Sequence, residues 1–398
     1  MTIEPSLRLV AYLDWTFVSL PGDSPMRLSS IDWRWALPRI AAVFLVTRLL
    51  VLVVAFAVEV SQPAPASLVR VEERPVLSSL TLWDGEYYLG IAEDGYHTDP
   101  SYGPDYAFYP GYPATIRAAS ALTLGDIGMA SVVASNAAFC LALLVLYVLS
   151  VRHLSRERAI LSLWYLALAP GAIAFALSYS DSLFLLLAVS AFLAAETRHP
   201  WLAGVGLALA TLTRAPGILL ALPLLVLLAQ EDGWRPTRTW LPLLVAPIAL
   251  ACWFTWLWWL TGDPMAAVSA QSYWDHPAAA SGTVLGHAGL PRDHVAGLAP
   301  GLVIVLWLGS LLFHCFLFVF FRPDKVRPAY WLAAFLAVAS VFMAGRLQSA
   351  PRYLAVAWPF DWVLAGRASR VGRGIVLAAF AGLQVVTLWL AFTWQVPP

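Results

Sequence analysis

The stretch LPRIAAVFLVTRLLVLVVAFAVEV, residues 37–60, decides the fold class of this chain. It holds 24 residues, of which only Arg39, Arg48 and Glu59 carry a charge. At ~1.5 Å per residue, a helix of this length is long enough to cross the ~30 Å hydrocarbon core of a bilayer. We therefore interpret residues 37–60 as a membrane-spanning helix.

Similar apolar stretches recur along most of the sequence. Hydrophobic residues make up 60% and charged residues 12% of the 398 residues, whereas soluble proteins have about 45–50% and about 25%. The mean hydropathy is +0.72. Such a chain cannot cover itself with a polar surface, so we predict an all-α, polytopic membrane bundle of about nine to eleven membrane helices. The predicted spans lie near residues 37–60, 127–150, 159–177, 182–196, 240–260, 299–321, 329–345, 352–366 and 374–395.

The apolar segment 201–230 has a different pattern. Thr213 and Arg214 interrupt it near its middle, and Pro216 and Gly217 follow. A single helix of that length would overshoot the bilayer, and the Pro–Gly pair favours a break. We therefore predict two half-helices that form a re-entrant hairpin.

The basic residues are distributed unequally between the two ends of the predicted spans. Of the 24 Arg and Lys residues, 16 fall in connections on one side, six fall on the other side and two lie within apolar stretches. By the positive-inside rule, the side with the larger number is cytoplasmic. Residues 1–36 then form a cytoplasmic N-terminal segment ahead of a single bundle, 37–398, whose segments 61–126 and 261–298 are extracytoplasmic.

The first extracytoplasmic segment combines acidic and aromatic side chains. It holds nine of the 24 acidic residues and seven of the 14 tyrosines. Aromatic faces stack on sugar rings and carboxylates accept hydrogen bonds from hydroxyl groups, so this mixture suits sugar binding. The alternative is an interfacial belt of aromatic side chains with solvated charges. Long outer segments beside short cytoplasmic connections are not what a pure channel or transporter needs.

Within this segment, residues 83–96 read WDGEYYLGIAEDGY. Leu82 and Leu89 lie seven positions apart, which is helical spacing, and Gly95 suits the end of a helix. Asp84 is therefore expected near the N-terminus of a short helix along the outer leaflet, where the helix dipole stabilises a carboxylate. A carboxylate there suits a general base that takes a proton from a sugar hydroxyl. The alternative role is a helix cap.

Isolated basic groups inside or beside the membrane are candidates for binding an anion. Arg346 and Arg352 flank the outer ends of adjacent spans and could clamp a phosphate bidentately. Arg214, at the tip of the predicted hairpin, is the second candidate for phosphate. Its alternative role is a buried ion pair with a carboxylate such as Asp181.

Other polar residues in the apolar stretches receive simpler interpretations. His314 lies within a predicted span. We interpret it as a candidate for substrate binding, and the alternative is a packing residue. Arg48 is interpreted as structural, either snorkelling or pairing with a helix end. The cysteines, Cys140, Cys252 and Cys315, all lie in apolar runs, so we expect neither a disulfide framework nor a zinc site.

The first outer segment resembles a known family. The run at 83–96, followed by AFYPGYP at 107–113, is similar to the signature of the PIG-V family, the GPI mannosyltransferase II group. Members of that family have a Trp-Asp pair, an aromatic–Leu–x–Ile–Ala–x–x–Gly–Tyr run and an Ala-Phe-aromatic-Pro-x-aromatic-Pro stretch. In the second motif, Pro110 and Pro113 argue against a regular helix and are expected to shape a cavity wall.

Later blocks resemble the family in the same order along the chain. They are APG at 169–171, SYSDSLF at 178–184, the stretch 206–214 and the pair RY at 352–353. The resemblance thus extends from about residue 37 over most of the chain. One departure is Asp181, which replaces the family's usual Glu and has a side chain shorter by one methylene.

The resemblance implies a membrane glycosyltransferase of the GT-C type, an all-helical bundle whose first outer segment carries a catalytic carboxylate. Family members transfer mannose from a polyprenyl-phosphate mannose donor, with inversion and without a metal or another cofactor. Asp84 matches the family's Asp and is the expected general base. Substrate-binding roles are expected for Trp83, Glu86, Tyr88, Tyr109, Tyr179, Asp181, Arg214, His314, Arg346, Arg352 and Tyr353.

The acceptor and the sugar are less constrained. Lys325 is the only lysine and Asn136 the only asparagine, a skew typical of a GC-rich, actinobacterial-like genome, and bacteria make no GPI anchor. The expected acceptor is therefore a phosphatidylinositol mannoside or a similar glycolipid on the outer face of the plasma membrane. Alternatives are another lipid-phosphate sugar, such as arabinofuranose or glucose, and a lipid transporter. The formal net charge of zero gives no support for a nucleic-acid partner, and a monomer is expected.

Overall fold

The structure is a computed structural model, and it describes residues 31–61, 72, 74–97, 105–271, 300–320, 326–344, 349–367 and 370–393. Every regular element within these ranges is helical, which confirms the predicted all-α fold. The compact unit begins at Trp33, four residues before the predicted start of the bundle. The predicted cytoplasmic segment falls almost entirely outside the described residues, as does most of the second outer segment.

The α-helices are α1 (Trp33–Ser61), α2 (Leu77–Leu80), α3 (Asp84–Asp94), α4 (Gly111–Ser120), α5 (Ile127–Ser150), α6 (Arg156–Leu168), α7 (Asp181–Glu196), α8 (Pro200–Thr213), α9 (Ala221–Glu231), α10 (Val245–Thr261), α11 (Ala266–Ser269), α12 (Pro300–Phe320), α13 (Pro328–Ala344), α14 (Ala350–Ala355), α15 (Pro359–Arg367) and α16 (Arg370–Phe392). Short 3-10 helices occupy Asp105–Ala107, Pro170–Phe175, Ala215–Leu220 and Arg238–Leu244.

Several helices in the described part of the chain are long and apolar enough to cross a membrane. Four have at least 18 residues: Trp33–Ser61, Ile127–Ser150, Arg238–Thr261 and Val371–Phe392. Shorter apolar helices of 10–17 residues lie at Pro200–Thr213, Ala215–Glu231, Leu306–Phe320 and Pro328–Met343. The chain is therefore a multi-pass membrane protein in which full-length and short apolar helices are mixed.

Two of the predicted spans are wrong as continuous helices. The stretch 159–177 breaks after α6, because Ala169 precedes Pro170 and adopts an extended ψ of 147°. The stretch 352–366 breaks between α14 and α15, where Pro359 begins a new helix. Residues at both breaks, among them Leu177 and Trp358, are buried inside the bundle.

The segment 201–230 forms the predicted two-helix hairpin. Helix α8 ends at Thr213, and the next residue, Arg214, is extended with φ −155° and ψ 146°. Helix α9 runs back along the bundle after the 3-10 helix Ala215–Leu220. At the open end of the hairpin, Arg198 donates to the carbonyl of Glu231 at 3.0 Å. At the tip, a Cβ on Gly217 would lie 2.5 Å from the Ala210 carbonyl oxygen, so the chain folds tightly back on α8.

The motif AFYPGYP at 107–113 contains a helix, although its two prolines were predicted to exclude one. Helix α4 begins at Gly111 and includes Pro113 within its first turn. The first four backbone N–H groups of a helix have no acceptor inside the helix, so a proline there removes no hydrogen bond. The two prolines therefore start a regular helix instead of excluding one.

Helix α7 lies at the centre of the bundle, packed against α5 and α8. Its last residue, Glu196, binds Arg152 at 2.7 Å and His153 at 2.8 Å. Its first residue, Asp181, lies at the opposite end, ~22 Å away at ~1.5 Å per residue. Arg152 and Arg198 belong to the basic set that the sequence predicts to be cytoplasmic, so Asp181 lies at the other end of the bundle from them.

Candidate active site

Helix α3 begins at Asp84, as predicted, so this carboxylate lies in the first turn of an eleven-residue helix. The preceding residue, Trp83, has φ 59°, a left-handed conformation that bulky residues rarely adopt. Its indole Nε1 donates to the carbonyl of Ala391 in α16 at 3.2 Å. A contact with a distant helix thus holds a strained residue in place beside the candidate base.

Arg352 joins the two carboxylates of the site. Its Nη1 donates to Oδ2 of Asp84, and its Nε donates to Oδ2 of Asp181 at 2.8 Å. The Cζ atom of the guanidinium lies 4.4 Å from the ring centroid of Tyr179. The Tyr179 hydroxyl accepts a hydrogen bond from the backbone N–H of Asp84 at 3.3 Å. An arginine suits this position, because its donors form a rigid fork and its flat face stacks on an aromatic ring.

Asp84, Asp181, Arg214 and Arg352 form a cluster of ion pairs, in which Asp181 binds both arginines. Its side chain is fully buried and also forms an ion pair with Arg214. The Arg214 guanidinium lies 5.0 Å from the ring centroid of Tyr353. Two cations on one buried carboxylate offset the cost of removing it from water. The buried pair between Arg214 and Asp181, considered from the sequence, is confirmed.

Burial is uneven across this cluster. The Asp84 side chain keeps 32% of its surface exposed, whereas Arg352 keeps 8% and Asp181 none. A substrate can therefore reach the cluster at Asp84, while Asp181 is sealed behind it.

Two glycines allow the close backbone approaches that build the site. A Cβ on Gly171 would lie 1.9 Å from the Pro351 carbonyl oxygen and 2.7 Å from the backbone nitrogen of Arg352. A Cβ on Gly111 would lie 2.9 Å from the backbone carbonyl oxygen of Leu212, two residues before Arg214. The sequence showed Gly171 only as part of a motif, because its role depends on a backbone segment that lies far away along the chain.

The tyrosines of the first outer segment fall into two groups. The Tyr88 hydroxyl donates to Oγ of Ser180 at 2.8 Å, which places Tyr88 next to the residue that precedes Asp181. Tyr109 instead packs into an apolar cluster with Trp253 of α10, their ring centroids 6.2 Å apart. The structure therefore brings Tyr88 to the arginine–aspartate cluster and uses Tyr109 to join the outer segment to α10.

Three predicted site residues lie elsewhere or stay predictions. Nδ1 of His314 lies 2.8 Å from the Ser310 carbonyl oxygen, and its ring meets Phe360 edge-on at 4.9 Å. These contacts are those of a packing residue inside the bundle. Glu86 is half-buried two positions after Asp84 on α3 and so faces a different direction. Arg346 lies outside the described residues.

Arg48 has the structural role expected of it. Its Nη1 donates to the Phe175 carbonyl oxygen at 2.7 Å and to Oδ1 of Asn136 at 3.2 Å. Phe175 is the last residue of the 3-10 helix that follows α6. Arg48 thus caps the segment that leads into Tyr179 and Asp181.

An apolar cavity lies beside the cluster of Asp84, Asp181, Arg214 and Arg352. Arg214 and Tyr353 line it together with apolar side chains of the hairpin and of α13, including Leu219, Leu336 and Ala337. Its apolar lining suits a hydrocarbon chain, and the Arg214 guanidinium places a positive charge in its wall.

Comparison with known proteins finds a similarity to one family over residues 39–230. Residues 39–230 match the model of the family described as Mannosyltransferase (PIG-V). This range contains Asp84, Tyr179, Asp181 and Arg214 but ends before Arg352. The resemblance inferred from the sequence motifs is confirmed over these residues.

Relatives with curated names show the same likeness. The chain is 31% identical over 166 residues to rat GPI alpha-1,6-mannosyltransferase 2, covering 39% of this chain and 33% of that protein. It is also 31% identical over 162 residues to GPI mannosyltransferase 2 of Cryptococcus neoformans, covering 38% of this chain and 37% of that protein. The chain thus matches about a third of the length of these relatives, all of which are named mannosyltransferases.

Among solved structures, the chain is similar to the Archaeoglobus fulgidus oligosaccharyltransferase. The structure of that protein with Zn and sulfate has a TM-score of 0.48 and 16% identity, over 89% of this chain and 52% of that chain. A second structure, tethered to an acceptor peptide, has a TM-score of 0.48 and 13% identity, over 92% and 56%.

Proposed function

We propose that this chain is a membrane mannosyltransferase that moves mannose from polyprenyl-phosphate mannose to a glycolipid acceptor. The match of residues 39–230 to a mannosyltransferase family supports the reaction class. The observation that carries the proposal is the cluster in which Arg352 joins the partly exposed Asp84 to the buried Asp181. It places one accessible carboxylate beside a guanidinium, which are the groups that a sugar transfer from a phosphate ester needs.

In the proposed reaction, Asp84 is the general base. The acceptor hydroxyl gives its proton to the Asp84 carboxylate while its oxygen forms a bond to the anomeric carbon of mannose. The bond from that carbon to the phosphate oxygen breaks, and its electron pair leaves with the polyprenyl phosphate. Attack from the face opposite the leaving group inverts the configuration, and the proton on Asp84 passes to solvent. The proposed reaction uses no metal ion or other cofactor.

The basic residues suit the phosphate of the donor. A guanidinium binds phosphate oxygens through two parallel N–H donors, and this stabilises the negative charge that grows on the leaving group. Arg352 is the first candidate because it already lies against Asp84, and Arg214 is the second. Arg214 also lines the apolar cavity, so the polyprenyl chain would lie between the hairpin and α13.

The placement of the cluster supports an outward-facing site. Asp181 lies at the end of α7 opposite Glu196, which binds Arg152 and His153. Since basic connections lie on the cytoplasmic side of membrane proteins, we propose that the cluster faces the extracytoplasmic side of the plasma membrane. The proposed acceptor is a phosphatidylinositol mannoside or a similar lipid-linked glycan in that leaflet, and the proposed working form is a monomer.

The test is a transfer assay with the full-length protein in lipid nanodiscs. Polyprenyl-phosphate mannose labelled in the sugar is supplied with a bacterial lipid extract that contains phosphatidylinositol mannosides, and labelled lipids are identified by mass spectrometry. The proposal expects a mannosylated lipid from this donor and none from GDP-mannose alone. Transfer only from polyprenyl-phosphate arabinofuranose or glucose would change the sugar. Lipid translocation in liposomes without any transfer would contradict the enzyme assignment.

A further inference from the structure

We infer that Arg352 couples binding of the donor to activation of Asp84, because the phosphate and the Asp84 carboxylate compete for the same guanidinium. This inference rests on the proposed function. Arg352 donates a hydrogen bond to Asp84 through Nη1 and to Asp181 through Nε. The two carboxylates therefore bind different N–H groups of the guanidinium. A phosphate that binds at Nη1 takes the place of Asp84 and leaves the contact with Asp181 intact.

Asp84 and Asp181 differ in burial, and this difference determines which of their contacts with Arg352 a phosphate replaces. Asp181 has no exposed surface and also holds Arg214, so leaving it without Arg352 would strand part of a buried charge, which is costly. Asp84 keeps 32% of its side chain exposed, so water can replace Arg352 around its carboxylate at little cost. The Asp84 contact is therefore the one that gives way to a competing anion.

The surrounding contacts hold the Arg352 guanidinium and the backbone of Asp84 in place. The Tyr179 ring packs on the Arg352 guanidinium at 4.4 Å and keeps its plane in position. The Tyr179 hydroxyl also accepts a hydrogen bond from the backbone N–H of Asp84. The Trp83 indole donates a hydrogen bond to the Ala391 carbonyl oxygen. Rotation of the Asp84 side chain alone is enough to release Nη1, so the exchange requires no movement of the helices.

The exchange alters the chemistry of Asp84 in the direction that catalysis requires. While Nη1 of Arg352 donates to Oδ2 of Asp84, that oxygen is already engaged as a hydrogen-bond acceptor. Once a phosphate occupies Nη1, Oδ2 is free to accept a hydrogen bond from the acceptor hydroxyl, which is the geometry that proton transfer to a general base needs. Asp84 is then available as the base only when the leaving group is already bound, so binding of the sugar donor precedes deprotonation of the acceptor.

The same competition makes a testable prediction about binding that does not depend on turnover. Removal of the carboxylate charge at position 84 removes a competitor of the phosphate. Decaprenyl phosphate is titrated against detergent-solubilised wild-type protein, Asp84→Asn and Asp84→Ala, with thermal unfolding as the check that each variant is folded. We expect both variants to bind it about two- to fivefold more tightly, as the strength of a partly exposed ion pair implies.

Two further variants complete this titration. Asp94→Asn removes an exposed carboxylate from the far end of the same helix and should leave the affinity unchanged. Asp181→Asn should weaken binding, because Arg352 loses its anchor. Equal or weaker binding by both Asp84 variants, with Asp94→Asn as reference, overturns the coupling.

This result separates the coupling from the proposed function. Tighter binding by the Asp84 variants, with no sugar transfer by the wild-type protein, would keep the coupling and overturn the mannosyltransferase. Transfer by the wild-type protein, with unchanged binding in both Asp84 variants, would keep the enzyme and overturn the coupling.

Discussion

The Nε atom of Arg352 lies 2.8 Å from Oδ2 of Asp181, although 171 positions separate the two residues in the sequence. This contact ties the short helix α14 to the start of α7 and places Arg352 within reach of Asp84. It also makes Asp181 the residue on which two guanidinium groups depend.

Asp181→Asn should destabilise the protein more than most single substitutions. The amide has nearly the same shape but removes the negative charge that both Arg214 and Arg352 use. Breaking a buried ion pair in this way costs about 3–5 kcal/mol. Thermal unfolding in detergent measures the effect, with Asp94→Asn as the exposed control. Equal unfolding temperatures for the two variants would show that the buried cluster does not support the fold.

Gly171→Ala should reduce activity by displacing Arg352. The added methyl group would meet the Pro351 carbonyl oxygen at 1.9 Å, and backbone atoms cannot give way as a flexible side chain can. The matched control is Gly90→Ala on α3, whose Cβ would have no neighbour within 4 Å. Replacing a glycine inside a helix with alanine stabilises by about 0.5–1 kcal/mol, so the control should be active and slightly more stable. Normal transfer by Gly171→Ala would contradict the close approach.

The apolar cavity should determine how the proposed transfer depends on the length of the donor's polyprenyl chain. Ala337→Trp places a large ring where the polyprenyl chain is proposed to lie, so KM should increase for a long-chain donor and change little for a ten-carbon donor. Phe335→Trp is the control, because Phe335 lies on the same helix with 47% of its surface exposed. An equal increase in KM for both donors in Ala337→Trp would show that the polyprenyl chain binds outside this cavity.

The ion pairs of the first outer segment predict a dependence of stability on pH. Hydrogen bonds from Arg74 and from the backbone N–H of Met129 lower the pKa of Asp126 to about 2. Because the pKa is lower in the folded protein than the unfolded value of about 3.9, the stabilisation is present above about pH 4 and is lost as pH falls toward 2. The unfolding temperature of Asp126→Asn should therefore lie below that of the wild type at pH 7, and the gap should shrink at pH 3. A gap that does not change with pH would contradict this assignment.

The sequence predicted the parts of the site that local pattern determines. Helix α3 with Asp84 in its first turn follows from apolar spacing and from Gly95, which adopts φ 89° at the end of the helix. The hairpin at 201–230 follows from Pro216 and Gly217. Each of these features depends on residues that are close together along the chain.

The rest of the site depends on contacts that spacing cannot show. Asp84 and Arg352 are 268 positions apart, and the sequence offered Arg346 and Arg352 equally as phosphate ligands. Substrate binding by Tyr179 stays a prediction, and the structure adds its contact with the Arg352 guanidinium, which the sequence could not show. The break at Pro170 was visible in the sequence, but hydropathy alone favoured a continuous span there.

The most direct test of the central claim is the rate of mannose transfer by Asp84→Asn at saturating polyprenyl-phosphate mannose. Without a general base the rate should fall by about 10²–10⁴-fold, while decaprenyl phosphate still binds and Asp94→Asn keeps the wild-type rate. A near-normal rate for Asp84→Asn would contradict the role of Asp84 as the catalytic base.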